Sequence, residues 1–154
     1  MKQQKLWLLS GPPASGKSTW VDNQSGVIVS RDAIRFSLLN DGDDYFAHED
    51  EVMQEFIKTI NYHLSIGDTV YVDATHLNWP SRKKVINAIT VPNIEVGVIC
   101  FNTPLEVCLK RNAKRTGRAC VPTKAITRMY KSFTDPATDP YHYSEIKYIN
   151  YNEV

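Results

Sequence analysis

The chain has 154 residues, 42% of them hydrophobic and 23% charged, which is the make-up of an ordinary globular domain and excludes a disordered or fibrous chain. One domain over residues 1–154 is expected at this length, burying about 68–70% of its unfolded surface without disulfide or metal staples. The net charge of +1 says little about partners, but its distribution is uneven: residues 31–55 carry eight acidic and two basic side chains, and residues 104–131 carry eight basic and one acidic.

Cys100, Cys108 and Cys120 form no CxxC pair, which suits the reduced thiols of a cytoplasmic protein. No run approaches 18 apolar residues, and Leu6–Leu9 is too short for a signal peptide, so neither a membrane span nor export is expected. Lys5–Ser10 is an apolar run ending in a Gly/Pro loop and predicts a buried strand, followed by a helix from about Gly16. Gly26–Val29 predicts a second strand, and Ser30 an N-cap for a helix through Leu39. From Tyr45 to Ile66, apolar residues at Val52, Phe56, Ile60 and Leu64 recur every four positions, an amphipathic helix closed by Gly67. Thr69–Val72 is a third strand with Asp73 at its end, and Pro80 sits in the first turn of a helix through Ile89. Glu95–Phe101 is a fourth strand. Thr103-Pro104-Leu105-Glu106 predicts a capping box with proline at N1, and its helix runs to about Lys114. Thr116-Gly117 interrupts, Pro122 opens a helix to about Phe133, and Glu145–Tyr151 is a last strand. Alternating strands and helices imply an α/β fold, a mostly parallel sheet of about five strands covered on both faces.

Gly11-Pro12-Pro13-Ala14-Ser15-Gly16-Lys17-Ser18 fits G-x-x-x-x-G-K-[ST] without mismatch, between a predicted strand and a predicted helix. Backbone N–H groups of such a loop converge on phosphate oxygens, Lys17 reaches the β and γ phosphates, and the Ser18 hydroxyl coordinates Mg²⁺. Nucleotide binding is therefore expected, with ATP and Mg²⁺ at Gly11, Ser15, Gly16, Lys17, Ser18 and Thr19. Asp32 and Arg35 stand three apart at the start of a helix, at the end of the sheet where the loop lies. A carboxylate there can take a proton from an attacking hydroxyl while the arginine holds an anionic group; the plainer alternative is a carboxylate favouring the helix dipole beside a solvated arginine. Arg111 and Arg115 lie four apart on one helical face, and Gly117 can hinge a flap, so residues 111–121 are expected to form an arginine-bearing lid.

Gly11–Thr19, Arg31-Asp32-x-x-Arg35, Asp73-Ala74-Thr75-His76-Leu77-Asn78 and Arg111–Pro122 together resemble the polynucleotide 5′-hydroxyl kinases, end-healing enzymes of phages and bacteria, from about Lys5 to Phe133. The resemblance implies transfer of the γ-phosphate of ATP to the 5′-OH end of single-stranded DNA or RNA, with Mg²⁺. It implies that Asp32 is the general base, that Arg35 contacts the acceptor phosphate and steadies that base, and that Arg111 and Arg115 bear on the ATP phosphates. Arg31, Asp73 and Thr75 fall on the acceptor side, and Val121 and Pro122 match an apolar pair that packs on the terminal nucleobase. For Asp73 the implied role is either orienting Arg35 or holding metal-bound water. His76 stands where the family usually has asparagine, and the length leaves no room for the phosphatase domain that often accompanies the kinase.

No membrane contact and no obligate protein partner is expected. Trp79 and Tyr141-His142-Tyr143 read as partly buried aromatics rather than base-stacking residues. Asp41-Gly42-Asp43-Asp44 has no glycine at the sixth position of a calcium loop and has Val52 at the twelfth, where a bidentate Glu is needed, and the four histidines have no zinc spacing. Two other functions remain in play: a P-loop kinase of a small metabolite or nucleotide-sugar, similar to zeta toxins or gluconate kinases, and a non-catalytic nucleotide-dependent binding module.

Overall fold

The computed structural model describes residues 4–117 and 120–150. Five strands form one sheet in the order β2-β3-β1-β4-β5, and every pairing is parallel. They are β1 (Gln4–Ser10), β2 (Val27–Ser30), β3 (Val70–Asp73), β4 (Ile94–Asn102) and β5 (Glu145–Asn150). β1 lies in the middle, which explains its unbroken apolar run: both faces must be buried. Leu6 and Leu8 join Val70, Val72, Val96 and Val98 on one face, under Phe56, Ile60 and Leu64 of helix α3 (Glu49–Ser65) and Val85 of α4 (Trp79–Ala88). On the other face Trp7 and Leu9 pack with Tyr71, Ile99 and Phe101, and with Val21 of α1 (Lys17–Val21). Gly97 is required here, because a Cβ at that position would sit 2.5 Å from the Trp7 ring.

The remaining helices are α2 (Arg31–Leu38), α5 (Leu105–Ala113) and α6 (Thr123–Lys131), with one 3₁₀ turn at Pro136–Thr138. Among the described residues, no helix is long and apolar enough to cross a membrane.

Local chemistry departs from expectation in a few places. The amphipathic helix begins at Glu49 rather than Tyr45, with three acids in its first turn that favour its dipole. Residues 45–48 form a turn instead, which turns Tyr45 towards α2. Thr103 does not cap α5. Pro104 is the N-cap residue without a side-chain bond, and the Thr103 hydroxyl donates to the Ser15 carbonyl at 2.7 Å. A long-range partner has taken the local cap's place. The capping box occurs on α4, where Asn78 and Ser81 bond reciprocally. Ser30 caps α2 as expected, accepting from the Ala33 amide. The last strand is described to Asn150, and Tyr151 lies outside the described residues.

Arg82 of α4 is wholly buried. Its Nη1 donates to both oxygens of Asp139 at 3.1 and 2.8 Å, its Nε to the His76 carbonyl at 3.0 Å, and its Nη2 to the carbonyls of Leu77 and Thr134. The Tyr143 hydroxyl completes Asp139 at 2.7 Å. Asp139→Asn should lower unfolding stability by about 3–5 kcal/mol, because it strands a buried cation. A urea titration reads the change, and a loss below about 1 kcal/mol, the value of a surface pair, would show that the ion pair does not hold this segment.

Candidate active site

β1 ends at Ser10 and the chain turns through residues 11–16 into α1. Gly11 is demanded by space, since a Cβ would meet the Ser15 hydroxyl at 2.6 Å. Gly16 is demanded by conformation: it is the α1 N-cap at φ 103°. Ala14 takes a left-handed φ of 65°, backbone strain of the kind found at binding loops. The loop is fixed from three sides. Its Gly11 amide donates to the Thr75 carbonyl at 2.9 Å, Thr103 holds the Ser15 carbonyl, and Nη1 of Arg111 reaches the Ala14 carbonyl at 3.4 Å.

Lys17 is buried and donates to the Gly11 and Pro12 carbonyls, both at 2.9 Å. Burial pulls its pKa down to about 8, against the opposing attraction of Asp73 and Asp32. Ser18 donates to Oδ2 of Asp73 at 2.9 Å. Burial raises the Asp73 pKa, with Lys17 opposing it. A hydroxyl and a carboxylate so paired are the hard oxygen donors that suit Mg²⁺, and a divalent cation would offset the cost of burying the carboxylate. Ser15 is fully buried with a hydroxyl that lacks a hydrogen-bond partner, and Thr19 is exposed on α1.

Beside this loop, α2 presents Asp32 with its side chain 63% exposed and Arg35 at 6%. Arg35 pairs with Asp32 Oδ1 through Nη1, and the same nitrogen donates to the Tyr45 hydroxyl at 2.7 Å. Glu49 takes Nε at 2.6 Å and Nη2 at 3.1 Å. Arg31 also donates to Glu49, at 3.1 Å. The Tyr45 hydroxyl donates to Asp32 Oδ1 at 2.8 Å. Asp32 is thus held through one oxygen by an arginine whose three nitrogens are all engaged within the protein.

Tyr45 and Glu49 are the residues that sequence reasoning misses. No motif joins them to Arg35 across ten and fourteen positions; only the turn before α3 does. Asp73 accepts from Ser18, while Arg35 donates to Asp32, Tyr45 and Glu49. Burial lowers the His76 pKa to about 4, so its ring is neutral; Nδ1 is 2.8 Å from the Leu9 carbonyl, and Nε2 is buried without a partner. Its φ of 42° marks the sharp bend after Asp73 that brings Thr75 under the loop.

On the lid side, Arg111 lies on α5, and Arg115 is exposed just beyond its end, close enough to Lys17 to help lower its pKa. Arg118 lies outside the described residues. Asn112, buried and also missed in the sequence, clamps the Val121 peptide: its Nδ2 donates to the carbonyl at 2.6 Å, and its Oδ1 accepts from the amide at 2.8 Å. Pro122 is exposed beside it. Trp79 and Tyr141 are partly buried, as expected, and pack with ring centroids 6.3 Å apart; Tyr143, 4.9 Å from Tyr141, is buried in the core instead, and His142 is exposed. Affinity for Mg·ATP should fall as pH rises through about 8, because the free protein's Lys17 then loses the proton that attracts phosphate. Calorimetric titrations across pH 7–9 measure this, and a flat profile would place the titration elsewhere.

A family model described as an AAA domain matches residues 6–136. Transcription factor bHLH140 of Arabidopsis thaliana is 31% identical over 118 residues, 75% of this chain but 12% of that protein. A chain of the Pnkp1/Rnl/Hen1 RNA repair complex superposes with TM-score 0.73 at 25% identity, over 86% of this chain and 44% of that one. This chain therefore spans about an eighth of the first and less than half of the second. A gluconokinase from Sinorhizobium meliloti superposes with TM-score 0.58 at 15% identity, over 97% and 84% of the two chains. With the phosphate-binding loop in its strand–helix setting and the sheet parallel throughout, the chain belongs to the AAA domain family and has a P-loop kinase fold.

Proposed function

We propose that this kinase transfers the γ-phosphate of ATP to the 5′-hydroxyl end of DNA or RNA. One observation carries the reading: an exposed carboxylate, Asp32, is held by Arg35 and Tyr45 through one oxygen, close enough to Lys17 and Asp73 to influence their charge. A nucleotide switch has no use for a base in that position. Likeness to a chain of an RNA repair complex supports a polynucleotide acceptor.

Asp32 accepts the proton of the 5′-OH as that oxygen bonds to the γ-phosphorus and the bond to the β–γ bridging oxygen breaks, releasing ADP. Arg35 and Tyr45 keep the carboxylate oriented, and Glu49 keeps Arg35 from swinging into the phosphates. Lys17 leaves its two loop carbonyls for the β and γ phosphates, joined by loop amides from Gly11 to Thr19 and by Arg111 and Arg115. Ser18 and Asp73 would hold Mg²⁺, which supplies positive charge against the phosphate oxygens. Arg31 and Thr75 border the acceptor, and Val121 and Pro122 offer an apolar rest for its terminal base.

A small-metabolite acceptor is the second reading. It is favoured by the gluconokinase-like fold and by the acidic stretch that follows α2, with Asp41, Asp43 and Asp44 close to Asp32 in sequence.

Labelled γ-phosphate offered with 5′-OH DNA and RNA oligonucleotides tests the assignment, the label appearing at the 5′ end. Asp32→Asn should lower transfer by roughly 10²–10⁴-fold with ATP affinity retained, whereas Lys17→Ala should weaken ATP binding itself. Near wild-type transfer by Asp32→Asn would remove Asp32 as the base. Label on sugars but not on oligonucleotides would move the acceptor to the metabolite class.

A further inference from the structure

Helix α6 has one side in the core and one that none of these contacts uses. Ile126 is fully buried, with Ala125 and Met129 half-buried on the same side. On the other side, Thr123, Lys124, Thr127, Arg128 and Lys131 share a shallow depression of about 360 Å³. Lys124, Arg128 and Lys131 follow four-then-three spacing, so their side chains form one stripe about 10 Å long. Among the described residues none of the three has an ion-pair partner. Exposed cations are common on surfaces, but three in line, unpaired and lining one depression, form a local positive field.

Position gives that field its meaning. The chain entering α6 is clamped to α5 by Asn112 through Val121, on the side of Arg111 and Arg115. The chain leaving it is tied to the β3–α4 loop, which follows Asp73 and carries Thr75: the Thr134 amide donates to the Leu77 carbonyl at 2.9 Å, and Arg82 holds the Thr134 carbonyl. α6 therefore spans from the lid side of the site to the loop after β3. The segment on the other flank, residues 31–55, carries eight acidic and two basic side chains and repels a polyanion.

We infer that the Lys124–Arg128–Lys131 stripe is the track along which a single-stranded acceptor's phosphodiesters leave the site, with Thr123 and Thr127 as hydroxyl partners. The inference rests on the polynucleotide reading above and extends it: the acceptor is recognised beyond its terminal nucleotide, by a surface a lone nucleotide cannot reach.

The triple variant Lys124→Ala/Arg128→Ala/Lys131→Ala tests it, with a thermal melt to show that the fold is intact. Fluorescence anisotropy of a labelled single-stranded oligonucleotide, without ATP, should show affinity at low salt lowered on the order of 100-fold, and the slope of log K against log salt reduced by about 2. In the kinase assay KM for the oligonucleotide should rise, while kcat, KM for ATP and KM for a nucleoside 3′-monophosphate stay at wild-type values. Unchanged oligonucleotide affinity and salt slope in the variant, or no binding by the wild type, overturns the track. Salt-sensitive wild-type binding that the variant loses, without any label transfer, would keep the track and overturn the kinase assignment instead.

Discussion

A guanidinium sealed from water organises this molecule. Arg82 can remain charged in the interior only while Asp139 and three carbonyls all stay in place, since each missing partner would expose part of a large desolvation cost. That requirement dictates the path of two stretches without regular structure. The chain after β3 must bring the carbonyls of His76 and Leu77 inward, and the chain after α6 must bring Thr134 and Asp139 to the same point. The first of these stretches then supports the phosphate loop, through Thr75 under Gly11 and His76 against Leu9 and Ser10. A charge far from the chemistry thus sets the floor on which the chemistry rests.

The site itself is built from groups held at different degrees of readiness. Lys17 is dehydrated and bonded to its own loop, so the cost of removing it from water is met when the protein folds. Asp32 stands exposed on α2, but its approach is fixed by a network of Arg35, Tyr45 and Glu49 packed behind it. The guanidinium of Arg35 also lies 4.4 Å from the Tyr45 ring centroid, so the same aromatic ring both stacks on the arginine and bonds the carboxylate. Rigid backing and an open front suit the transfer proposed above, whose acceptor must enter and leave.

Much of this was legible in the sequence because the determinants are local. The apolar run of β1 implied burial on both faces, the four-residue repeat of Val52, Phe56, Ile60 and Leu64 drew α3, and the glycine–lysine loop carried its own strand and helix signals. What could not be read is what depends on distant partners. Thr103 has the right neighbours for a capping box, but the Ser15 carbonyl, eighty-eight positions away, takes its hydroxyl. Glu49 looks like an ordinary acid in a helix's first turn until the fold brings α2 against it. Arg82 reads as one more cation in a Ser-Arg-Lys-Lys stretch, and nothing nearby distinguishes it from its exposed neighbours Lys83 and Lys84.

The strand order carries a consequence for biogenesis. β1 is made first but occupies the centre of the sheet, and its two neighbours are β3 and β4, which begin at residues 70 and 94. During synthesis Leu6, Trp7, Leu8 and Leu9 therefore wait without either pairing partner until nearly half of the chain has left the ribosome. Such non-local parallel pairing is slow, and an unpaired apolar strand is open to the wrong contacts in the meantime. The phosphate loop, which needs Thr75 beneath it, cannot close before then, so the nascent chain gains its nucleotide-binding loop late, at about the time its core first becomes protected.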